Sequence, residues 1–401
     1  MRTVSTGTVT SMTRLDAPLT PRMADFGTTI FAEMSALAVS TGAINLGQGF
    51  PDTDGPVEVR DAAIAAILAG HNQYPPGNGI PELRHAIARH QRRCYGLVVD
   101  PETEVLVTAG ATEALAAALL ALAGPGDEVV MFEPFYDSYA ASIALGGATR
   151  RVVPLRPPEF RFDPDELEAA ITPATKVLLL NTPHNPCGTV FTRQELELIA
   201  GVCQRHDLIA VCDEVYEHLT FDGIEHIPLA TLAGMAERTL TISSAGKTFS
   251  FTGWKIGWVT GPAALVAAVR TVKQFMTYVS GGPFQHAIAV ALELPSTVTE
   301  ALAASLQSKR DRLAVGLTAA GFEVNNPQGT YFITADIRPV GGIDGLSFCR
   351  ELPQRAGVVA VPTQVFYDNA EAGRPYIRFA FCKRDDVIDE AVDRLSNMGS
   401  R

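Results

Sequence analysis

EVLVTAGATEALAAALLALAGPGDEVVMFEP, residues 104–134, decides the fold. EVLVTAG (104–110) reads as a buried strand running into a glycine. The alanine-rich ATEALAAALLALA (111–123) reads as a helix closed by the GPGDE turn, and DEVVMFEP (127–134) as a second strand. Outward from this unit, KVLLLNTP (176–183), LIAVCDEVY (208–216) and RTLTISS (238–244) supply further strands between helix-like segments. The alternation points to a parallel sheet in an α/β protein. Each strand ends in a polar cluster, where an open α/β sheet gathers its ligand site. After about residue 295 the pattern changes: a long polar-faced helix, TVTEALAASLQSKRDRLAVGLTAAG (297–321), precedes the shorter strands YFITADI and YIRFAF. The expected organisation is a disordered tail over 1–22, a large domain over 61–296, and a small domain built from 23–60 and 297–401.

With 47% hydrophobic and 19% charged residues over 401 positions, the composition is that of a globular protein of about two domains. A formal net charge of −12 argues against nucleic acid or an anionic membrane surface as partner, since both repel it at long range. A small-molecule role is favoured. The six cysteines show no CxxC spacing, and the single CxxH, Cys203 to His206, has no second pair to complete it, so neither a metal site nor a disulfide framework is indicated, and reduced thiols in a cytoplasm are expected. No apolar run approaches the roughly 20 residues of a membrane span, and MRTVSTGTVTSMTRLDAPLTPR lacks the apolar core of a secretory signal.

Four short stretches carry chemistry. At Gly110-Ala111-Thr112-Glu113, small residues open a helix whose free N–H groups suit an anion; an ordinary capped helix start reads the same way. NTPHNPCG (181–188) is a proline-rich turn that either aims the Asn185 amide into a cleft or is a plain loop. Asp213 sits near the end of an apolar strand, where a carboxylate needs a cationic partner, structural or functional. Lys247 lies in the Ser/Gly/Thr-rich SSAGKT, in a chain that uses only six lysines among 32 basic residues. Unlike arginine, lysine offers an amine that can lose its proton and attack a carbonyl. Taken together, these stretches describe a site for a phosphorylated, nitrogen-heterocyclic aldehyde.

In that order, NTPHNP, DEVY and SAGK resemble the motifs of the class I, fold-type-I aminotransferases that depend on pyridoxal 5'-phosphate, and the similarity runs from LGQGFPD (46–52) to YIRFAFCK (376–383). The resemblance implies a large domain with a mostly parallel, seven-stranded sheet hinged to a small α/β domain. It implies that Lys247 attaches the cofactor and then moves the proton, that Asp213 pairs with the pyridine nitrogen, and that Asn185 and Tyr216 hold the phenolic oxygen. Tyr136 would stack on the ring. Gly110, Ala111, Thr112, Ser244 and Lys255 would hold the phosphate, joined by Tyr74 from a second subunit, so that a homodimer shares its sites. Arg378 would anchor the substrate α-carboxylate, assisted by the Gly49 N–H, with Phe31 lining the side-chain pocket.

Within the family, LGQGFPD, NQYPPG, EPFYDSY, DEVYEHL and FCKRDD are most similar to the branch holding actinobacterial N-succinyldiaminopimelate aminotransferases and the kynurenine and methionine aminotransferases. The resemblance implies ping-pong transfer from an amino acid to an oxoacid such as 2-oxoglutarate, with N-succinyl-L,L-diaminopimelate as first donor. Kynurenine or methionine transamination and cysteine-conjugate β-elimination are the alternatives. YVSGGPFQ (278–285) lacks an arginine for a second carboxylate, which disfavours a dedicated aspartate enzyme and leaves the cation for a distal succinyl group unnamed. A sensor domain of a transcription regulator is not expected, because too few residues precede the similar region to hold a DNA-binding region.

Overall fold

The computed structural model of the chain describes residues 19–398. Of the tail expected over 1–22, residues 1–18 lie outside the described residues, and Pro21–Met23 forms a short 3-10 turn. The large sheet has seven strands: β1 Val105–Ala109, β2 Glu128–Glu133, β3 Thr149–Pro154, β4 Thr175–Asn181, β5 Ile209–Asp213, β6 Thr239–Ser244 and β7 Ile256–Thr260. Their spatial order is β1-β7-β6-β5-β4-β2-β3, and only β7 runs antiparallel to its neighbours. The α/β fold with a mostly parallel central sheet is the one expected.

Near-continuous apolar runs belong in strands covered on both faces, and β4 shows why. Leu178 and Leu180 enter one core with the helix Arg193–Arg205, whereas Val177 and Leu179 enter another with the helices Gly110–Leu122 and Asp137–Gly146. Each of these four side chains is fully buried, contributing about 1.5–3 kcal/mol of transfer free energy. At the β1–β7 edge, Val105, Val107, Ile256 and Trp258 meet the helices Val57–Leu68, Pro81–Tyr95 and Gly282–Leu292 in a further core. The helix Val57–Leu68 straddles the expected domain boundary at 60–61 and buries Val59 and Ala63 in this core.

The second body is an antiparallel sheet of β8 Glu323–Val324, β9 Phe332–Asp336, β10 Val361–Pro362 and β11 Tyr376–Ala380, in the order β10-β11-β9-β8. Met34 and Ala38, from the helix Ile30–Thr41, share its core with Leu313, Leu352 and Phe379, and Ile44–Asn45 pairs in parallel with Val358–Val359. No single helix among the described residues is long and apolar enough to cross a membrane.

Candidate active site

The C-terminal ends of β1, β2, β4, β5 and β6 point to one rim of the large sheet, the position where open α/β sheets bind ligands. Because β7 is antiparallel, its first residues reach that same rim: Ile256 pairs with Ala109 and Gly257 with Ser244. Lys255 is thereby delivered beside the start of the helix Gly110–Leu122. A cleft of about 360 Å³ opens there, between the rim and the small-domain strands. Gly49, Phe31 and Arg378 border it from the small-domain side; Gly110, Ala111, Thr112, Tyr136, Asn185, Asp213, Tyr216, Ser244, Lys247 and Lys255 border it from the large sheet. Tyr74 does not: it is 81% exposed, edge-on to Tyr278 with ring centroids 5.6 Å apart.

At the helix start, Gly110 takes φ +74°, and a Cβ there would lie 3.3 Å from Lys255 Nζ. Gly257 is closer still, since its Cβ would meet Ala111 N at 2.7 Å. The helix has no side-chain cap, so its first N–H groups face the cleft free, an anion cradle in which the helix dipole adds positive potential. Lys255 holds φ +55° and ψ +44°, a left-handed conformation that costs a non-glycine residue about 1–2 kcal/mol. That strain is located where the chain turns from the Thr252–Trp254 helical turn into β7. Ser244 caps the short helix Ala245–Thr248 by accepting from Gly246 N at 3.3 Å, which leaves its O–H free to donate.

Asp213, at the end of β5, is buried, and the Tyr139 hydroxyl donates to its Oδ2 at 2.6 Å while Val215 N donates to Oδ1 at 3.3 Å. Burial pushes its carboxyl up to about 6, against the Tyr139 bond, which favours the ionised form. Its hydrogen-bond donors are neutral, and the Lys247 charge acts on it only through space, so the carboxylate is poised for a cationic partner. Asn181 clamps the turn beside it: its Oδ1 accepts from Asn185 N at 2.7 Å and its Nδ2 donates to Asp213 O at 2.9 Å. Asn185 is aimed into the cleft by that clamp.

Lys247 Nζ donates to the Tyr331 hydroxyl at 2.9 Å, and Tyr331 donates in turn to Gly49 O at 2.6 Å. Desolvation lowers the amine to about 8; Asp213 and Cys382 oppose the shift, and Lys255 and Arg378 reinforce it. Arg378, on β11, is the most deeply buried cation of the site at 1% exposure. Its Nη1 donates to Asn185 Oδ1 at 2.9 Å and Nη2 to Gly47 O at 3.1 Å, its guanidinium lies 3.8 Å from the Phe332 ring centroid, and Nε has no partner. No carboxylate among the described residues forms an ion pair with it. A buried guanidinium so placed lacks the anion that would neutralise it.

These residues fit pyridoxal 5'-phosphate: an anion cradle with a lysine, a buried carboxylate without a cation, and an amine of lowered pKa face one another. Tyr139 and Tyr331 were not singled out from sequence. Tyr139 stands one helical turn beyond Tyr136 in EPFYDSY, which is a usable signal; Tyr331 lies in an apolar strand-like run that conceals it. Replacing Tyr139 with phenylalanine removes a hydrogen bond to a charged acceptor worth about 1.5–3 kcal/mol. The Asp213 carboxyl then moves further up, so its ionised form is lost at a higher pH. The expected outcome is turnover roughly 10-fold or more below wild type and an acid limb of the pH–rate profile displaced upward; superimposable profiles would refute this role.

The family model for aminotransferase class I and II matches residues 41–395. A probable N-succinyldiaminopimelate aminotransferase of Mycobacterium tuberculosis is 53% identical over 390 residues, covering 95% of this chain and 98% of its own. Methionine aminotransferase of Escherichia coli is 39% identical, covering 95% and 99%. The solved structure of N-succinyldiaminopimelate aminotransferase from Mycobacterium tuberculosis superposes with a TM-score of 0.93 at 54% identity, covering 95% of this chain and all of that one.

Proposed function

Because the chain belongs to the class I and II aminotransferases, we propose that it transfers the amino group of N-succinyl-L,L-diaminopimelate to an oxoacid such as 2-oxoglutarate, with pyridoxal 5'-phosphate as cofactor. The observation that carries the proposal is Arg378: a buried guanidinium without an acidic partner, facing the same cleft as the Lys247 amine. It suits an α-carboxylate held bidentately, which places the donor's Cα toward Lys247. When bound, the cofactor supplies the electron sink that makes a proton at that carbon removable.

The chain's own residues then have separable tasks. Lys247 attaches the cofactor and carries the proton, and its lowered pKa makes the neutral amine available near neutral pH. Asp213 holds positive charge on the ring nitrogen, while Asn185 and Tyr216 hold the phenolic oxygen. Tyr136 covers the ring face. The Gly110–Thr112 backbone, Ser244 and Lys255 hold the phosphate, and Gly49 N–H and Phe31 complete the substrate side.

A homodimer belongs to the same proposal. Tyr74, Phe275, Met276 and Tyr278 are exposed large apolar side chains, and Tyr74 and Tyr278 touch. Such a patch suits coverage by a second subunit, which would bring Tyr74 to the neighbouring phosphate cradle. A cytoplasmic location is in keeping with six free cysteines.

A donor panel tests the substrate: N-succinyl-diaminopimelate, kynurenine, methionine, glutamate and aspartate compared by kcat/KM. The succinylated donor is expected to exceed each of the others by roughly 10-fold or more, about 1.4 kcal/mol of discrimination. A kynurenine preference of about a hundredfold, some 2.7 kcal/mol, rejects the assignment. Pyruvate formed from a cysteine conjugate without any amino acceptor would mark β-elimination instead.

A further inference from the structure

We propose that His90, Cys94 and His218 form a binding site for a single borderline transition-metal ion of the zinc(II) or cobalt(II) class, outside the active-site cleft and independent of its chemistry. His90 and Cys94 stand one turn apart on the helix Pro81–Tyr95, so both project from one face. His218 comes from the segment after β5. One ligand atom from each of the three lies within 4.8 Å of the others. The two Nε2 atoms face each other at 2.8 Å, with the rings inclined at 75°.

Two imidazoles and a thiol make a donor set for borderline and soft ions, and exclude magnesium and calcium, which take oxygen ligands. In a tetrahedral zinc site with bonds of about 2.0–2.1 Å, ligand nitrogens stand about 3.3 Å apart. The rings therefore need to separate by about half an ångström, which His218, only half-buried, can supply.

The surroundings support a cation. Glu217 lies beside both histidines as a buried carboxylate, fixed by the Tyr95 hydroxyl at 2.6 Å and by the Ser243 hydroxyl, and it offsets an ion's charge without being a ligand. Arg93 is the opposing charge, and its Nη2 is engaged with Leu292 O at 2.7 Å. The cluster lines a surface cleft of about 950 Å³, so an ion has an entry path and an open fourth position for water. CxxC and CxxH spacing could not reveal such a site: its signal within one segment is only HQRRC, and the third ligand arrives 124 residues later.

Cobalt(II) titration of the chelator-treated holoenzyme tests the proposal, read in the ligand-field bands to the red of the cofactor's absorption. Wild type is expected to bind one equivalent per chain with tetrahedral intensity and to gain several degrees in Tm with zinc(II). Cys94→Ser and His218→Gln are each expected to weaken binding by about 10–100-fold or more. His71→Gln, in the separate His71–His286 ring pair, is expected to leave binding unchanged. Absence of a saturable band in wild type, or bands that persist in both ligand variants while their cofactor absorbance and folding are intact, overturns the site.

Discussion

Lys247→Ala is expected to lower turnover by at least about 10⁴-fold while the protein still binds pyridoxal phosphate. The two halves of that result have different causes. Proton transfer by a positioned group contributes about 10²–10⁴-fold, and loss of the amine also removes the covalent attachment that prepares the cofactor. Retention rests on other residues: the Gly110 cradle, Ser244, Lys255 and Asp213 are untouched by the substitution. Lys247→Arg sharpens the test, because guanidinium keeps the charge but not the removable proton, and it is expected to be as inactive as alanine. For the wild-type apoprotein the amine titrates at about 8, so reaction with added cofactor aldehyde accelerates as pH rises through that value and falls below it, where the amine is protonated. Turnover above about one-hundredth of wild type in Lys247→Ala, a loss smaller than proton transfer alone supplies, would sink the role.

The sequence was legible where residue type and strand order coincide. Glycine after β1, the Asn-Pro turn after β4, aspartate at the end of β5 and lysine after β6 each follow an apolar run, and parallel strands bring such ends to one rim. Two strands of the large sheet escaped. In β3, TRRVVP opens with polar and charged residues because it is an edge strand with only one neighbour. In β7, IGWVT follows directly on the Thr252–Trp254 helical turn, and its antiparallel direction is a tertiary fact without a local signal. That direction explains why Lys255, eight residues beyond Lys247, stands beside the Gly110 cradle instead of at the far end of a strand. Tyr331 was hidden for a related reason: an aromatic in an apolar run reads as core until its hydroxyl is seen between Lys247 and Gly49.

Arg378→Ala is expected to lower kcat/KM for amino-acid donors by about 10²–10⁴-fold, the range that follows when one partner of a buried, hydrogen-bonded charge pair is removed at about 3–5 kcal/mol. Arg378→Lys should recover only part of the loss. The guanidinium lies 3.8 Å from the Phe332 ring centroid and reaches both Asn185 Oδ1 and Gly47 O, whereas an ammonium has no planar fork with which to stack and bond both acceptors. Desolvation brings the Arg378 pKa down to about 10, so the fork remains cationic throughout neutral pH and its contribution does not titrate there. A substitution at 1% exposure also disturbs packing, which a fall in rate cannot by itself distinguish from a lost anchor. A decarboxylated donor, the corresponding amine, separates the two. It has no α-carboxylate to lose, so wild type and Arg378→Ala should process it at similar low rates, and the penalty should appear only with the carboxylate present. An equal fractional loss for both donors would assign Arg378 to packing, and the cleft would then need another cation to orient Cα toward Lys247.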